Sequence, residues 1–312
     1  MTITLKSSIS HKQWMPGIVV AAIAVAIGLP FLFIPVDNTY SPRSLRALWD
    51  LGHVPLFASA GYLFLQCCRR YAELTYERQL LVAIFAALTT GFVIELIQSV
   101  SGGDFSLHDV YNDLLGAGFA VIWLSRAATV QGIISRKIFQ LLFSVAMLFS
   151  LAPLILGLAD EFLARKQFPV LADFQSPLQL KRFGGGARLE QQRETMRVFF
   201  GTEKYSGFAL KYFPRNWKGY KSVIINVNNP NQQTIALTCR IHDLSHNYQY
   251  DDRYNRRFAI KPGLQKISID LGEVASAPRS RSMDLTRIGA LGCFTTALPW
   301  PLTMTIRQIT LR

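Results

Sequence analysis

The sequence is short of cysteine and of acid, and each shortage narrows what the chain can be. Four cysteines in 312 residues do not make a disulfide framework, so the fold must rest on buried apolar surface. Cys67 and Cys68 are adjacent at the end of an apolar run, whereas Cys239 and Cys293 stand far apart, each in a strand-like stretch. Those last two either pair or remain buried thiols, and spacing does not choose between the two. Twenty Asp/Glu against 33 Lys/Arg give a net charge of +13. The shortage of acid is local: residues 1–164 carry ten basic and ten acidic groups, residues 165–312 carry 23 and ten. The second half also lacks long apolar runs. No Walker-type loop, Rossmann glycine pattern or nucleophilic-serine elbow occurs anywhere, so nothing points to nucleotide chemistry or to a serine nucleophile. Gly184-Gly185-Gly186 is a lone glycine run and reads as a flexible turn.

What is present divides at about Ala164. Before it lie five apolar segments, at about Met15–Ile34, Leu51–Cys68, Leu80–Val100, Val110–Leu124 and Ile138–Ala159. The first is about 20 residues, too long for a signal core and long enough to span a bilayer. Five crossings are therefore expected, in a helical domain over residues 1–164. Lys6, Lys12, Arg69, Arg70, Arg78, Arg126, Arg136 and Lys137 flank one set of ends, and only Arg43 and Arg46 flank the other. Basic flanks face the cytoplasm, so the N-terminus is expected inside and the C-terminal domain outside the cell membrane.

Three polar pairs punctuate these segments at a spacing of three: Asp50 with His53, Glu95 with Gln98, and Asp109 with Asn112. That spacing puts both members on one helix face, and all three pairs fall toward the extracytoplasmic ends. Carboxylates at membrane depth must face the bundle interior, water or a partner. The alternatives are a shared polar pocket or a hydrogen-bonded cluster that pins the helices, with Gly91, Gly116 and Gly118 permitting close approach. His53 can be a proton-handling group, a metal ligand or an ordinary hydrogen-bonding partner, the last being the usual role of a lone histidine. No cofactor or metal site is assigned.

In their order and spacing, Asp50-Leu-Gly-His53, Glu95-Leu-Ile-Gln98 and Asp109-Val-Tyr-Asn112 with Gly116 resemble the VanZ-like membrane proteins over about residues 40–126. One departure is Gly102-Gly103-Asp104, where many members have an arginine before the aspartate. The resemblance implies an association with envelope glycans or their lipid carriers, since that family is linked to reduced sensitivity to teicoplanin-type antibiotics.

From about Phe168 the period becomes two. Residues 208–213, 222–227, 234–241, 257–260, 266–270, 288–294 and 304–311 read as strands, separated by turn formers such as Asn229-Pro230-Asn231 and Pro262-Gly263. Seven or more short strands predict an all-β sandwich over residues 165–312. Trp217 with Tyr220, Asn226-Val-Asn228, Arg240-Ile-His-Asp243, Asp252-Arg-Tyr-Asn255, Pro262-Gly263 and the closing strand resemble the galactose-binding-like jelly rolls of carbohydrate-binding modules. That resemblance implies sugar binding by aromatic platforms and polar side chains. The candidates are Trp217, Asp243, Tyr248, Tyr250, Arg253, Tyr254 and Asn255, with burial in the core or rim as the ordinary alternative for Trp217 and Tyr254. His242-Asp-Leu-Ser-His246 leaves a strand for a loop, so its two histidines are not expected to converge on a metal.

The expected fold is thus an α-helical membrane bundle followed by an all-β jelly-roll sandwich. The expected partners are membrane lipids and an envelope glycan or glycolipid. The basic surface suits anionic partners in general, but nucleic acid does not suit the compartment. The function read from the sequence is non-enzymatic glycan engagement. A membrane enzyme or transporter acting on an isoprenoid- or phospholipid-linked substrate, and a plain anchor for an interaction domain, are the alternatives.

Overall fold

The computed structural model describes residues 15–33, 40–101, 105–127 and 133–312. Lys6, Lys12 and the Gly102-Gly103-Asp104 departure lie outside the described residues. The chain forms two compact units, residues 1–155 and 156–312.

The first unit is helical. Its elements are α1 (Met15–Phe31), α2 (Arg43–Asp50), α3 (His53–Cys67), the single turn α4 (Arg69–Ala72), α5 (Tyr76–Val100), α6 (Leu107–Phe119) running into a π turn at Ala120–Leu124, and α7 (Ile133–Gln167), which continues into the second unit. Among the described residues, two stretches are long and apolar enough to cross a membrane, Tyr76–Val100 with 25 residues and Arg136–Gln167 with 32. This corrects the expected five. At about 1.5 Å per residue, the 15 residues of α3 reach about 22 Å, short of a hydrocarbon core of about 30 Å. Within the second apolar segment the helix begins only at His53 and ends at Cys67, because Leu51 and Gly52 fall between α2 and α3.

Helix α3 packs against α1 and α6, and α5 packs against α6. The approach of α3 to α6 depends on Gly116: a Cβ there would lie 2.7 Å from the Phe57 Cβ and 3.0 Å from the Ala58 nitrogen. Helix α6 starts where Ser106 caps it, its Oγ accepting from the Asp109 N–H at 3.2 Å, as a serine N-cap should. The burial pattern is inverted relative to a water-soluble bundle. Gln79, Glu95, Asn112 and Asp113 are buried, while Leu81, Phe85, Phe92, Leu96, Leu141, Leu148 and Phe149 are exposed.

The second unit begins with the end of α7, where Asp160 meets the fully buried Arg182 at 2.9 Å. Two antiparallel sheets follow. One has the order β3 (Arg188–Gln191), β4 (Met196–Phe200), β11 (Leu302–Leu311), β6 (Ser222–Asn229), β9 (Gly263–Asp270), with β1 (Val170–Ala172) also on β11. The other has the order β2 (Phe183–Gly184), β5 (Ser206–Leu210), β10 (Ile288–Thr295), β7 (Ile235–Asp243), β8 (Tyr254–Ile260). A short helix, α8 (Leu271–Ser276), follows β9 with Asp270 as its cap. Alternation sets the core: Met196, Val198 and Phe200 on β4 and Ile235, Leu237, Cys239 and Ile241 on β7 all point between the sheets. Every strand read from the sequence is present, and β1 to β4 are additions. Cys239 and Cys293 sit directly opposite on β7 and β10 and form a disulfide.

Candidate functional site

Two places gather chemistry. The first is the polar interior of the helical unit. Asp50 ends α2 and His53 opens α3, with Leu51 and Gly52 in helical conformation between them, and each of the two lies near Asp109. His53 bonds through Nδ1 to Asp113 Oδ1 at 2.8 Å, both side chains buried. Gly91 makes room for this pair, because a Cβ there would overlap Asp113 Oδ2. Glu95 is 0% exposed. Its Oε2 accepts the Ser106 N–H at 2.7 Å, while Oε1 has no partner. One ligand atom each from His53, Glu95 and Asp109 lies within 4.8 Å of the others, and Asp50, His108 and Asp109 make a second such group.

Gln98 and Asn112 do not join this cluster as side-chain ligands. The Gln98 amide donates to the Leu32 carbonyl at 2.7 Å. The Asn112 amide donates to the Asp50 carbonyl at 2.9 Å, and its Oδ1 accepts from Ser150. Both therefore tie helices together. Sequence reasoning missed Asp113, His108 and Ser106. Asp113 follows Asp109 by four, a helical neighbour spacing that was available as a signal.

The second place is a groove of about 340 Å³ on the outer face of the five-stranded sheet. Its lining includes Gly207 and Ala209 of β5, Arg240 of β7, Phe294 of β10, and Tyr205, Tyr250 and Arg253 from loops. On β5 and β10, Phe208, Leu210, Leu291 and Cys293 turn into the core, so alternation leaves Gly207, Ala209, Gly292 and Phe294 outward. The register sets Gly292 beside Ala209 on one side and beside Arg240 on the other. Gly207 and Ala209, nearly bare, thus make a floor, the Arg240 side chain lies over Gly292, and long side chains make the walls. Tyr205 stands edge-on to Phe294 with centroids 5.6 Å apart. Arg253 lies over the Tyr250 ring at 5.5 Å. The Gly184–Gly186 run, read as a turn, borders this groove, and a Cβ on Gly185 would overlap the Gly207 carbonyl.

Of the seven glycan candidates, Tyr250 and Arg253 line the groove. Trp217 is 0% exposed and packs in the core against Phe213, its indole N–H donating to the Pro214 carbonyl at 3.1 Å. It has no face to offer a sugar. Tyr254 is likewise buried. Asn255 donates to the Tyr250 carbonyl at 3.1 Å and so braces the loop. Tyr248 is 73% exposed and stacks beside His246, away from the groove lining.

Asp243 has a structural role. Its carboxylate takes a bidentate pair from Arg281, Nη1 to Oδ2 at 2.6 Å and Nη2 to Oδ1 at 2.8 Å, and also the Asp284 N–H at 2.8 Å. Burial opposes its ionisation, but these bonds outweigh burial and hold the carboxyl below the usual range. The same guanidinium binds Asp252, Nε to Oδ1 at 2.6 Å, and holds that carboxyl well below the usual range too. The rings of His242 and His246 lie 4.8 Å apart at 30°, with His246 Nδ1 facing Asp252. Burial, then the neighbouring His246 and arginines, pushes His242 down to about 4.

No family model and no curated protein matches the chain. Solved structures similar to its β-rich half include a family 11 carbohydrate-binding module from Clostridium thermocellum in complex with a β-1,3-1,4-mixed-linked tetrasaccharide. It is 16% identical, with a TM-score of 0.36 over 46% of this chain and 93% of that one. An agarase, AgWH50C, is 13% identical, with a TM-score of 0.38 over 46% of this chain and 26% of that one. A variant of a family 29 carbohydrate-binding module is 12% identical, with a TM-score of 0.33 over 46% and 88%.

Proposed function

We propose that the chain is a membrane-anchored glycan-binding protein, its helical unit in the bilayer and its sandwich offering the groove to an envelope glycan or glycolipid. The groove carries the reading. A nearly bare floor beside Phe294, Tyr205 and Tyr250 accepts the flat apolar face of a sugar ring. Arg240 and Arg253 at the walls are donors for hydroxyls or acidic substituents. A preformed concave site with a few convergent polar groups is what a small ligand requires.

The inverted burial of α5 and α7 supports the membrane assignment, since buried carboxylates with outward leucine and phenylalanine suit hydrocarbon as solvent. Arg69, Arg70, Arg78, Arg126 and Arg136 fall at one end of α3, α5, α6 and α7, and Glu95 and Asp109 fall at the other. Basic ends face the cytoplasm. Helix α7 starts at the basic end, and this charge bias supports an extracytoplasmic side for the residues that follow it. The Cys239–Cys293 disulfide suits an oxidising compartment. The VanZ-like order of Asp50-His53, Glu95-Gln98 and Asp109-Asn112 favours an envelope ligand within this reading.

The test is titration of the full chain in lipid nanodiscs with neutral β-glucan oligosaccharides and with uronic-acid oligosaccharides. Saturable binding to one class is expected. Tyr250→Ala should weaken it about tenfold, the order of one aromatic contact, and Tyr248→Ala should leave it unchanged. Absence of saturable binding, or equal effects of the two substitutions, would refute the groove.

A second reading, in which the helical unit acts on a lipid-linked substrate, is favoured by the buried His53–Asp113 pair beside Glu95. Turnover or flipping of such a lipid by reconstituted protein, lost in His53→Gln, would support it.

A further inference from the structure

The interior of the helical unit holds more negative charge than its own partners neutralise. Glu95, Asp109 and Asp113 gather around one imidazole, and each retains an oxygen without a hydrogen-bond partner: Glu95 Oε1, Asp109 Oδ1 and Asp113 Oδ2. Glu95 and Asp113 are both fully buried. A buried carboxylate oxygen left without a partner is costly, and three such oxygens, two of them on fully buried residues, call for a cation or for protons.

Geometry favours the cation. Ligand atoms of His53, Glu95 and Asp109 lie within 4.8 Å of one another, close to the roughly 4.4 Å that two ligands on opposite sides of one ion span at about 2.2 Å each, so side-chain rotations of a few tenths of an ångström draw the set onto an ion. The His53 Nδ1 is held by Asp113 at 2.8 Å, which leaves Nε2 as the nitrogen with a lone pair to give. A carboxylate behind a histidine is the usual outer partner of a metal-bound imidazole, fixing its tautomer and orientation. The Ser106 N–H does the same for Glu95, leaving Oε1 uncommitted. Gly91, where any side chain would displace Asp113, is part of the same construction.

We propose that His53, Glu95 and Asp109 form a binding site for a first-row divalent cation of the Zn²⁺ or Mn²⁺ class, with Asp113 as the positioning residue for His53. One imidazole with two carboxylates is a borderline donor set. It suits these ions, whereas Mg²⁺ and Ca²⁺ call for oxygen ligands alone. The site is independent of the groove and of any glycan.

The experiment uses the full chain, stripped of metal and held in nanodiscs with a tag that carries no histidine. It is titrated with ZnCl₂ and MnCl₂, with MgCl₂ and CaCl₂ as comparisons. One equivalent of Zn²⁺ or Mn²⁺ is expected, not displaced by equal Mg²⁺ or Ca²⁺. Glu95→Gln and His53→Gln should each weaken it about 100-fold or more, and Asp113→Asn about 10–100-fold. Should these variants fail to fold, X-ray absorption on the Zn²⁺-loaded wild type decides. One imidazole nitrogen with carboxylate oxygens supports the site, and a shell without imidazole overturns it. Lack of saturable binding overturns it too, as does a protonated-carboxyl infrared band that saturating Zn²⁺ does not move, because protons would then do the neutralising.

Discussion

Replacing Arg281 by methionine separates a structural role for Asp243 from a sugar-reading one. The guanidinium holds two carboxylates through four N–H donations, to Asp243 at 2.6 and 2.8 Å and to Asp252 at 2.6 and 3.0 Å. Without it, Asp243 keeps the Asp284 N–H, and Asp252 keeps the Asn247 N–H and His246. Each carboxylate then stays buried with its charge unopposed by a fixed cation. Removing one partner of such a group costs roughly 3–5 kcal/mol, a large part of a domain stability of about 5–15 kcal/mol. The sign with pH follows from the depressed carboxyls. In the wild type they contribute stability that is present above about pH 4, the unfolded value, and lost as pH falls through the folded values. In Arg281→Met the folded values rise, so the deficit is greatest near pH 7 and shrinks below about pH 4 as the carboxyls take protons. Hydrogen exchange of β7 and β10 peptides in the full chain, referenced to intrinsic rates at each pH, measures the opening free energy. Arg281→Met with Asp243→Asn and Asp252→Asn should recover a substantial part of the loss. A cost below about 1 kcal/mol, or one that does not change with pH, would refute the clamp.

His242 gives an independent acid sensitivity. Its folded value of about 4, against about 6.5 unfolded, means that stability falls as pH drops from about 6.5 to 4, by roughly 3 kcal/mol. The same exchange experiment should show that slope flattened in His242→Gln. Changing Cys239 and Cys293 together to alanine removes a cross-link between residues 54 apart, and the chain-entropy model puts the loss at about 4 kcal/mol. A denaturant midpoint for the sandwich left within error of wild type would contradict it. Gly116→Ala should push α3 from α6, since the backbone at Ala58 cannot yield as a flexible side chain would. A loss of about 1–3 kcal/mol is expected, read as a lower melting temperature of the helical signal in detergent, and an unchanged value would sink the packing argument.

The sandwich was legible because its strands are half-buried, and half-burial writes a period of two into the residues. Met196, Val198 and Phe200 carry that period as well. Yet β3 and β4 escaped notice, because they are short and bear Arg188, Glu190 and Arg197 toward solvent. The groove was harder to read. A sequence shows that Gly207, Ala209, Gly292 and Arg240 are strand residues, but only the register Ala209–Gly292–Arg240 shows that they are neighbours. Trp217 misled for a related reason. Its position is set by a backbone bond from its N–H to the Leu285 carbonyl at 2.8 Å, 68 residues away, and no local pattern reports such a contact.

In the helical half, apolar run length overstated the number of spans and polar spacing understated the cluster. Hydropathy merged Leu51–Cys68 into a crossing, although α3 begins only at His53 and stops at Cys67, where Cys68 turns to an extended conformation. The i,i+3 rule grouped residues within one helix, whereas the chemistry is built between helices. His53 meets an aspartate 60 positions away, and Glu95 reaches the amide that opens α6. The helix ends explain both errors. A chain that brings His53, Glu95 and Ser106–Asp113 to one level must end α3 and α6 there, so the helices that build the cluster are shortened by building it. The polar cluster and the missing spanning length are then one feature of the sequence, and a count of apolar runs overstates the number of long helices where helices end in order to gather buried charge.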